Sequence, residues 1–248
     1  MGKQPDRDGT VERLKAALAK AKRAAALTGA GVSAESGIPT FRGPGGLWRN
    51  FRPEDLATPE AFARDPRLVW EWYDWRRGLV ADAEPNPAHA ALARLEARIE
   101  DFWLVTQNVD GLHQRAGSRR VLEIHGNLWR LRCTGCAKYF EDRRVPLPAL
   151  PPECGECGGL LRPGVVWFGE SLPMGTFQKA LESARAAEVF LVVGTSGAVE
   201  PAASLARAAK EAGALVAEVN TDATSLSAVA DIRLEAPAGR ALPLLVPA

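Results

Sequence analysis

The chain has 248 residues, which suits one α/β domain with an insertion or two small domains. Its formal net charge is +1 and its charged residues are interspersed, which argues against nucleic acid as the main partner. No apolar run reaches the roughly 18 residues that a membrane span needs, and the first residues lack a secretion signal. We therefore expect a cytoplasmic protein without membrane contact, and we expect it to be a monomer.

Apolar runs that predict β-strands alternate with amphipathic stretches that predict α-helices along most of the chain. This alternation is typical of a parallel sheet that is covered by helices on both faces. We therefore predict an α/β fold with a doubly wound, Rossmann-like parallel sheet. In chain order the predicted elements are helix Val11–Lys22, strand Ala24–Leu27, helix Pro87–Ile99, strand Phe102–Thr106, strand Val121–Ile124, helix Gly175–Ala187, strand Val189–Val193, helix Pro201–Ala212 and strand Leu215–Val219.

Two segments interrupt the alternation, and we interpret them as modules inserted into a single domain that spans residues 1–248. Residues 44–80 are rich in Trp and Arg and predict a small helical module, whereas residues 129–161 hold every cysteine of the chain. The strand and helix patterns resume after each segment. We therefore expect the Rossmann-like core to consist of residues 1–43, 81–128 and 162–248.

A glycine-rich turn follows the first predicted strand. The segment Gly29-Ala30-Gly31-Val32-Ser33-Ala34 fits the pattern G-x-G-x-x-G/A, in which glycines make a tight turn and admit a pyrophosphate. The usual pattern continues into a second strand with an acidic residue about 20 positions on, but residues 41–48 have the composition of a loop. The pattern alone therefore leaves two interpretations open, a nucleotide site and a plain strand-to-helix turn.

The four cysteines are arranged as two Cys-x2-Cys pairs with seventeen residues between the pairs. This spacing is typical of one structural Zn²⁺ that is held by four thiolates. Two disulfides are the alternative, which a reducing compartment disfavours. Because sulfur fills all four positions, no place remains for water or substrate, and the zinc is expected to stabilise a module without taking part in catalysis. The predicted ligands are Cys133, Cys136, Cys154 and Cys157.

The three histidines are the first candidates for acid–base catalysis. His89 lies near a predicted helix start, where capping or packing is expected, and His113 is a candidate for orienting the neighbouring loop. His125 follows a predicted strand, so it is placed at the carboxyl edge of the sheet, where open α/β sheets bind ligands. Two other predicted strands end at the same edge, at residues 106–111 and 194–197. We predict His125 as a general base, with a satisfied core histidine as the alternative.

Several motifs occur along the chain in this order: GAGVSAESGIPTFR from Gly29 to Arg42, TQNVD from Thr106 to Asp110, His125-Gly126, the four cysteines, Phe168-Gly169-Glu170 and Gly194-Thr195-Ser196. Together they resemble the sirtuins, the family of NAD-dependent protein lysine deacylases. The likeness runs in register from about residue 12 to the end of the chain. Within the family, the chain resembles the desuccinylase type.

The resemblance implies a reaction that consumes NAD as a co-substrate. In sirtuins the carbonyl oxygen of an acyl-lysine attacks the ribose carbon that bears nicotinamide, and a histidine then acts as general base on the ribose hydroxyls. His125 matches that base, and Asn108 is implied as a second catalytic residue at the nicotinamide pocket, with Ile38 and Asp110. The products are nicotinamide, O-acyl-ADP-ribose and free lysine, so the implied partners are proteins or peptides that carry acyl-lysine.

The resemblance also assigns residues to the binding sites. The segment 164–170 is similar to the one by which sirtuins bind a substrate peptide as an added strand, although an ordinary edge strand would look the same. The substrate residues implied there are Val166, Phe168, Gly169 and Glu170. The NAD cleft is implied to contain Gly29, Ala30, Gly31, Ser33, Ala34, Glu35, Ile38, Phe41, Arg42, Trp48, Gln107, Asn108, Val109, Asp110, Gly194, Thr195, Ser196, Asn220, Thr221, Asp222 and Ala238.

Tyr73 and Arg76 bear on the choice of acyl group. They are three residues apart, so on a helix they share a face. Packing of an arginine over aromatic rings is one interpretation of this pair. The other is a phenol and a guanidinium that clamp a carboxylate, because the pair matches the Tyr-x-x-Arg of sirtuins that remove succinyl and malonyl groups. Ala57 matches a small residue that leaves room for the longer acyl chain. We therefore predict succinyl- and malonyl-lysine as substrates, with acetyl-lysine also accepted.

Three other functions are compatible with some of these sequence features. An NAD-dependent dehydrogenase would use a similar glycine loop, but it would accumulate reduced cofactor. A protein mono-ADP-ribosyltransferase would leave a label from NAD on its acceptor. A zinc-ribbon module that binds nucleic acid would show strongly salt-dependent association, which the small net charge disfavours.

Overall fold

The computed structural model describes residues 9–41, 46–47 and 52–246. Two residues that were predicted in the NAD cleft, Arg42 and Trp48, lie outside these ranges. In chain order the described strands are β1 (Arg23–Thr28), β2 (Asp101–Thr106), β3 (Val121–Glu123), β4 (Gly126–Cys133), β5 (Tyr139–Glu141), β6 (Leu161–Val165), β7 (Val189–Val193), β8 (Leu215–Asn220) and β9 (Ile232–Glu235).

The described helices surround these strands. In chain order they are α1 (Thr10–Lys20), α2 (Pro53–Leu56), α3 (Pro59–Arg64), α4 (Pro66–Asp82), α5 (Pro87–Arg98), α6 (Leu112–Arg115), α7 (Met174–Ala186), α8 (Ser204–Glu211) and α9 (Ala238–Leu245), with a 3₁₀ helix at Ala30–Ser36. In the part of the chain that the structure describes, none of them has the length and apolar character that crossing a membrane requires.

The larger lobe is a six-stranded sheet in the order β3-β2-β1-β7-β8-β9. Every neighbouring pair of its strands is parallel, and the order reverses between β1 and β7. Side chains alternate across β1, so Ala24 and Ala26 pack under α1, α5 and α9, whereas Ala25 and Leu27 pack under α7 and α8. These observations confirm the predicted α/β fold with a doubly wound parallel sheet.

The edge strand β9 was not predicted. It is short, with Ile232 and Leu234 buried and the charged residues between and after them less so. Four residues with two charges give too weak a pattern to distinguish a strand from a loop. The five predicted strands agree with the observed strands to within one residue at each end.

The two segments that interrupt the alternation form a smaller lobe together. Helices α2, α3 and α4 pack on an antiparallel sheet in the order β5-β4-β6, and both share one buried core. Two buried hydrogen bonds join them: Trp70 Nε1 donates to the Leu161 carbonyl at 2.7 Å, and Arg77 Nη1 donates to the Leu128 carbonyl at 2.7 Å. The predicted domain boundaries stay a prediction. In the structure, α4 continues to Asp82 and β4 begins at Gly126.

Candidate active site

A large cavity lies at the carboxyl edge of the main sheet, where the sheet meets the smaller lobe. Its volume is about 1220 Å³, and its lining includes the residues that follow β1, β2, β3, β7 and β8. The strand order reverses at this edge, between β1 and β7, and ligands of open α/β sheets bind at such a position. The cavity is therefore the candidate active site.

The glycines of the turn after β1 pack against the turn after β7. A Cβ atom on Gly29 would lie 2.8 Å from Thr195 Cβ, and one on Gly31 would lie 2.8 Å from Gly194 Cα. Gly194 itself has a φ of +58°, and its own Cβ would lie 2.4 Å from the Val32 nitrogen. Because the two turns touch backbone to backbone, these positions require glycine even before any ligand is bound. Both turns line the cavity.

His125 lines the cavity with one ring nitrogen already engaged. Its Nδ1 lies 3.1 Å from the Gln107 carbonyl oxygen. Since a carbonyl only accepts, Nδ1 carries the hydrogen, and Nε2 is the nitrogen that can take up a proton. Burial lowers the pKa of His125, and the bond to Gln107 partly opposes this shift. At neutral pH the imidazole is therefore uncharged and held in one tautomer.

The backbone at His125 is joined to the segment after β6. The Val166 N–H donates to the His125 carbonyl at 2.9 Å. Gly126 has a φ of +80°, and a Cβ there would lie 2.2 Å from the Gly164 carbonyl oxygen. Only glycine fits this close approach, which places His125 beside the segment predicted to bind substrate.

A buried hydrogen-bond network supports Asn108 from behind. Asn108 lines the cavity, and its Nδ2 donates to the Gly29 carbonyl and to Ser33 Oγ, each at 3.1 Å. Ser33 Oγ in turn donates to Asp110 Oδ2 at 2.9 Å. Burial raises the pKa of Asp110, although the Leu112 N–H and the Ser33 hydroxyl oppose the shift. The network fixes the Asn108 amide against the glycine turn.

The other two histidines are buried behind the same region. His89 Nδ1 accepts the Asn86 N–H at 3.2 Å in a capping box at the start of α5, which confirms the predicted capping role. His113 Nε2 lies 3.0 Å from Thr28 Oγ1, and the two histidine rings are 4.8 Å apart. Burial lowers the pKa of His89 to about 4 and that of His113 well below its ordinary value. Both rings are therefore neutral at pH 7.

Polar side chains tie together the strand ends on the other side of the cavity. Gln107 Nε2 donates to Thr195 Oγ1 at 2.9 Å, and Asn220 Nδ2 donates to the Thr195 carbonyl at 2.9 Å. Glu35 accepts the Gly239 N–H at 2.6 Å, so its carboxylate joins the 3₁₀ helix to the start of α9. These contacts connect the ends of β2, β7 and β8 and the N-terminus of α9.

The four cysteines of the smaller lobe fit a tetrahedral metal ion. Their Sγ atoms all lie within 4.8 Å of one another, with 3.4 Å between Cys133 and Cys157 and 3.9 Å between Cys136 and Cys154. A tetrahedral ion with Zn–S bonds of about 2.3 Å separates its sulfurs by about 3.8 Å. None of the four forms a disulfide, and the N–H groups of Gly135 and Cys136 donate to Cys133 Sγ, as expected for a thiolate. The cysteines are therefore positioned to bind a structural zinc ion.

The end of the cavity inside the smaller lobe is aromatic with one buried cation. The guanidinium carbon of Arg76 lies 4.8 Å from the ring centroids of Phe41 and Trp72, and the residue is 7% exposed. Burial lowers the pKa of Arg76 and raises that of Tyr73. Among the described residues, no hydrogen bond or ion pair to the Arg76 guanidinium is found. Arg76, Tyr73 and Ala57 all line the cavity.

Residues 165–170 of the segment 164–170 line the cavity, but the segment is a strand only as far as Val165. Its Phe168 N–H donates to the Ala57 carbonyl at 3.0 Å, and its Trp167 N–H donates to Glu170 at 2.8 Å. The Glu170 carboxylate also accepts two bonds from Arg162, at 2.6 and 2.8 Å. An added substrate strand must therefore pair with other main-chain groups of this segment, and the Glu170 carboxylate is engaged within the protein.

A model of the Sir2 family matches residues 29–201, which is more than half of the chain. The chain belongs to the Sir2 family. An NAD-dependent protein deacylase of Aquifex aeolicus is 58% identical to it over 216 residues, which are 87% of this chain and 90% of that protein.

Solved structures of Sir2 proteins have the same fold as this chain. A Sir2 homologue in complex with NAD has a TM-score of 0.91 at 49% identity, with 99% of this chain and 95% of that chain covered. A Sir2 structure that contains a deacetylated p53 peptide and 3′-O-acetyl ADP ribose has a TM-score of 0.85 at 30% identity, with 95% and 97% covered.

In this Sir2 chain most of the predicted cleft residues come together around the cavity. Ser33, Ile38 and Asp110 are the exceptions among the described residues, since they do not line it. Ser33 and Asp110 lie behind Asn108, and Ile38 packs against the core of the smaller lobe. The predicted residues that line the cavity are Gly29, Ala30, Gly31, Ala34, Glu35, Phe41, Ala57, Tyr73, Arg76, Gln107, Asn108, Val109, His125, Val166, Phe168, Gly169, Glu170, Gly194, Thr195, Ser196, Asn220, Thr221, Asp222 and Ala238.

Two tryptophans of the Sir2 site were missed by the sequence prediction. Trp72 and Trp167 both line the cavity and contact the predicted clamp. Trp72 precedes Tyr73 on α4, and Trp167 lies inside the predicted segment 164–170. In sequence alone, an aromatic residue in such a position is most simply explained as core packing.

Proposed function

We propose that the protein is an NAD-dependent protein lysine deacylase that releases nicotinamide, O-acyl-ADP-ribose and free lysine. The observation that carries the proposal is the neutral His125, held by Gln107 in the wall of a cavity that the glycine turns also line. The related Sir2 proteins support the same activity, since one is an NAD-dependent protein deacylase and two solved structures contain NAD or a deacetylated peptide with 3′-O-acetyl ADP ribose. The predicted monomeric state and cytoplasmic location stay predictions.

Each part of the cavity has a distinct role in this proposal. When bound, NAD supplies an electrophilic ribose carbon whose bond to nicotinamide can break. The turns that contain Gly31, Gly194 and Asn220 hold the nucleotide, and Asn108 orients the nicotinamide end. His125 Nε2 removes a proton from a ribose hydroxyl, because it is the ring nitrogen left without a hydrogen. Burial of the site excludes water, which would otherwise compete with the acyl-lysine oxygen.

We further propose that the preferred acyl groups carry a carboxylate. The buried Arg76 carries this proposal, since its guanidinium lies beside a phenol in the cavity lining and forms no ion pair or hydrogen bond with the described residues. A buried cation of this kind is stabilised by an anion that arrives with the substrate. Succinyl- and malonyl-lysine present such an anion, whereas acetyl-lysine leaves the guanidinium unpaired.

The reaction type is tested with an acetyl-lysine peptide and NAD in equal amounts. We expect nicotinamide and free lysine to appear in equal amounts, with O-acetyl-ADP-ribose as the third product. Accumulation of reduced cofactor would identify a dehydrogenase instead. Transfer of label from adenine-labelled NAD to a protein would identify an ADP-ribosyltransferase.

The pH dependence of kcat/KM follows from the state of His125. Only the neutral imidazole accepts a proton, and burial lowers the pKa of His125 below its ordinary value of about 6.5. We therefore expect constant activity near pH 7 and a fall, with one proton taken up, only below about pH 6.5. Steady-state kinetics between about pH 5 and pH 8 measures the position of this fall. A midpoint above pH 7 would contradict the assignment of His125 as a buried neutral base.

Loss of a cysteine should unfold the smaller lobe. Cys136→Ser removes one of four zinc ligands, and Cys133 and Cys154 belong to the same buried core as Tyr73 and Trp167. We expect zinc content to fall well below one ion per chain and Tm to fall by about 10 °C or more. Metal analysis and calorimetry measure both. Thr134→Ala, between the first two cysteines, is the matched control and should keep its zinc; full zinc content in Cys136→Ser would refute the ligand assignment.

A further inference from the structure

Trp167 makes a hydrogen bond that determines how Tyr73 can act. Its indole Nε1 lies 2.9 Å from the Tyr73 hydroxyl oxygen, and the contact is buried. An indole N–H donates and never accepts, so the phenol oxygen is the acceptor in this bond. The hydroxyl hydrogen of Tyr73 is then left to point elsewhere. No protein acceptor for it is found in the part of the chain that the structure describes.

The indole is held in place from several sides. The guanidinium carbon of Arg162 lies 3.5 Å from the Trp167 ring centroid. Arg162 is itself fixed, since it donates twice to Glu170 and once to the Val165 carbonyl. The Phe62 ring lies 5.4 Å from the Trp167 ring. The direction of the indole N–H is therefore determined by packing and ion pairing before any substrate binds.

The charge of Arg162 also affects the strength of this donor. A cation over the face of an indole withdraws electron density from the ring, which makes the N–H a better hydrogen-bond donor. The bond from Trp167 then competes well with water for the phenol oxygen. Burial raises the pKa of Tyr73, so the phenol keeps its hydrogen across the physiological range.

We propose that Trp167 is a specificity-determining residue that makes the Tyr73 hydroxyl a donor toward the acyl carboxylate, next to Arg76. The inference rests on the proposed preference for acidic acyl groups. If the phenol were free to rotate, it would accept from Arg76 as readily as it donates to a carboxylate. With its oxygen engaged by Trp167, it offers the incoming anion a hydrogen. Arg162 and Glu170 act indirectly, because they hold the indole of Trp167 in place.

The first test compares acyl preference in three variants and one control variant. Trp167→Phe removes the N–H and keeps an aromatic ring, whereas Tyr73→Phe removes the hydroxyl. We expect each to lower the succinyl-to-acetyl ratio of kcat/KM about tenfold, mainly through a higher KM for the succinyl peptide. In the double variant the ratio should fall no further than in Tyr73→Phe alone, because the two residues act through one bond. Trp103→Phe, at an indole outside the cavity, should leave the ratio unchanged.

The second test keeps the shape of the side chain. Replacing Trp167 with 3-benzothienylalanine exchanges the N–H for sulfur and preserves the bicyclic ring, so folding is maintained if Trp167→Phe does not fold. This protein should show the same fall in the ratio. In the unliganded enzyme, the indole ¹⁵N–¹H resonance of Trp167 should shift when Tyr73 is changed to Phe, which reports the bond independently of activity.

The outcomes separate the inference from the proposed acyl preference. The proposed acyl preference is refuted if the wild type does not process succinyl peptides, or if Arg76→Met leaves the succinyl-to-acetyl ratio of kcat/KM unchanged. The proposed role of Trp167 is then refuted as well. If Arg76→Met lowers the ratio but removal of the indole N–H does not, only the inference about Trp167 is overturned. An additive loss in the double variant would also overturn it, since Trp167 would then act by a route other than Tyr73.

Discussion

His125→Ala should lower kcat/KM for every acyl-lysine peptide by about 10²- to 10⁴-fold. The imidazole is the group of the cavity whose free nitrogen can take a proton at pH 7, and its other nitrogen is held by Gln107. The loss should be similar for acetyl and succinyl peptides, because the base acts on the ribose and not on the acyl chain. Free lysine formation, followed by mass spectrometry, measures this loss.

Two controls keep this result specific. His125 packs at the cavity wall, so zinc content and Tm of the variant should stay close to those of the wild type, which shows that the fold persists. Gln107→Ala removes a side chain but keeps the carbonyl that holds the ring, so it should retain far more activity than His125→Ala. A His125→Ala enzyme with more than about a tenth of wild-type activity would exclude the ring as the general base.

Arg76→Met should lower desuccinylation by roughly 100-fold or more while lowering deacetylation far less. Truncating one partner of a buried, hydrogen-bonded charge pair typically costs about 2–5 kcal/mol, and about 2.7 kcal/mol is 100-fold. Methionine fills much of the space of the arginine stem, so the packing against Phe41 and Trp72 is largely kept. Kinetics on matched succinyl, malonyl and acetyl peptides measures the selectivity.

Arg76→Lys is the matched variant for this prediction. It keeps the charge and loses the planar fork, so its succinyl activity should lie between those of the wild type and Arg76→Met. Equal losses of desuccinylation and deacetylation in Arg76→Met would show that the side chain supports the cavity wall and does not bind an acyl carboxylate.

The larger lobe could be predicted from sequence because its central strands, such as β1 and β7, are buried on both faces. Runs such as Val189–Val193 are continuously apolar, and amphipathic helices separate them. The fold follows from that alternation. The edge strand β9 could not be predicted in the same way, since it is half exposed and carries charges between its apolar residues.

The glycine turn after β1 shows why a sequence motif alone did not explain which contacts require glycine. Its pattern predicted close approach to a pyrophosphate, but the contact that requires glycine at positions 29 and 31 is with Gly194 and Thr195. Those residues are about 160 positions away in sequence, so no local pattern contains this information. The resemblance to sirtuins pointed to residues that lie around the cavity, and the packing explains why positions 29, 31 and 194 are glycine.

Contacts between distant segments of the smaller lobe could not be predicted from the sequence either. Residues 44–80 and 129–161 were interpreted as two inserted modules, each from its own composition. The structure joins them through one buried core, in which Trp70 bonds to Leu161. This core extends beyond residue 161 to Trp167, which bonds to Tyr73. These contacts connect segments that are about 90 residues apart, and they form the aromatic end of the cavity.

The central claim is tested most directly by competition between two peptides in one reaction. The peptides have the same sequence, and one carries succinyl-lysine where the other carries acetyl-lysine; both are incubated with NAD and the wild-type enzyme. We expect the succinyl peptide to be consumed first, and we expect nicotinamide and free lysine each to equal the sum of O-succinyl- and O-acetyl-ADP-ribose. Consumption of neither peptide, or formation of reduced cofactor without O-acyl-ADP-ribose, would contradict the account.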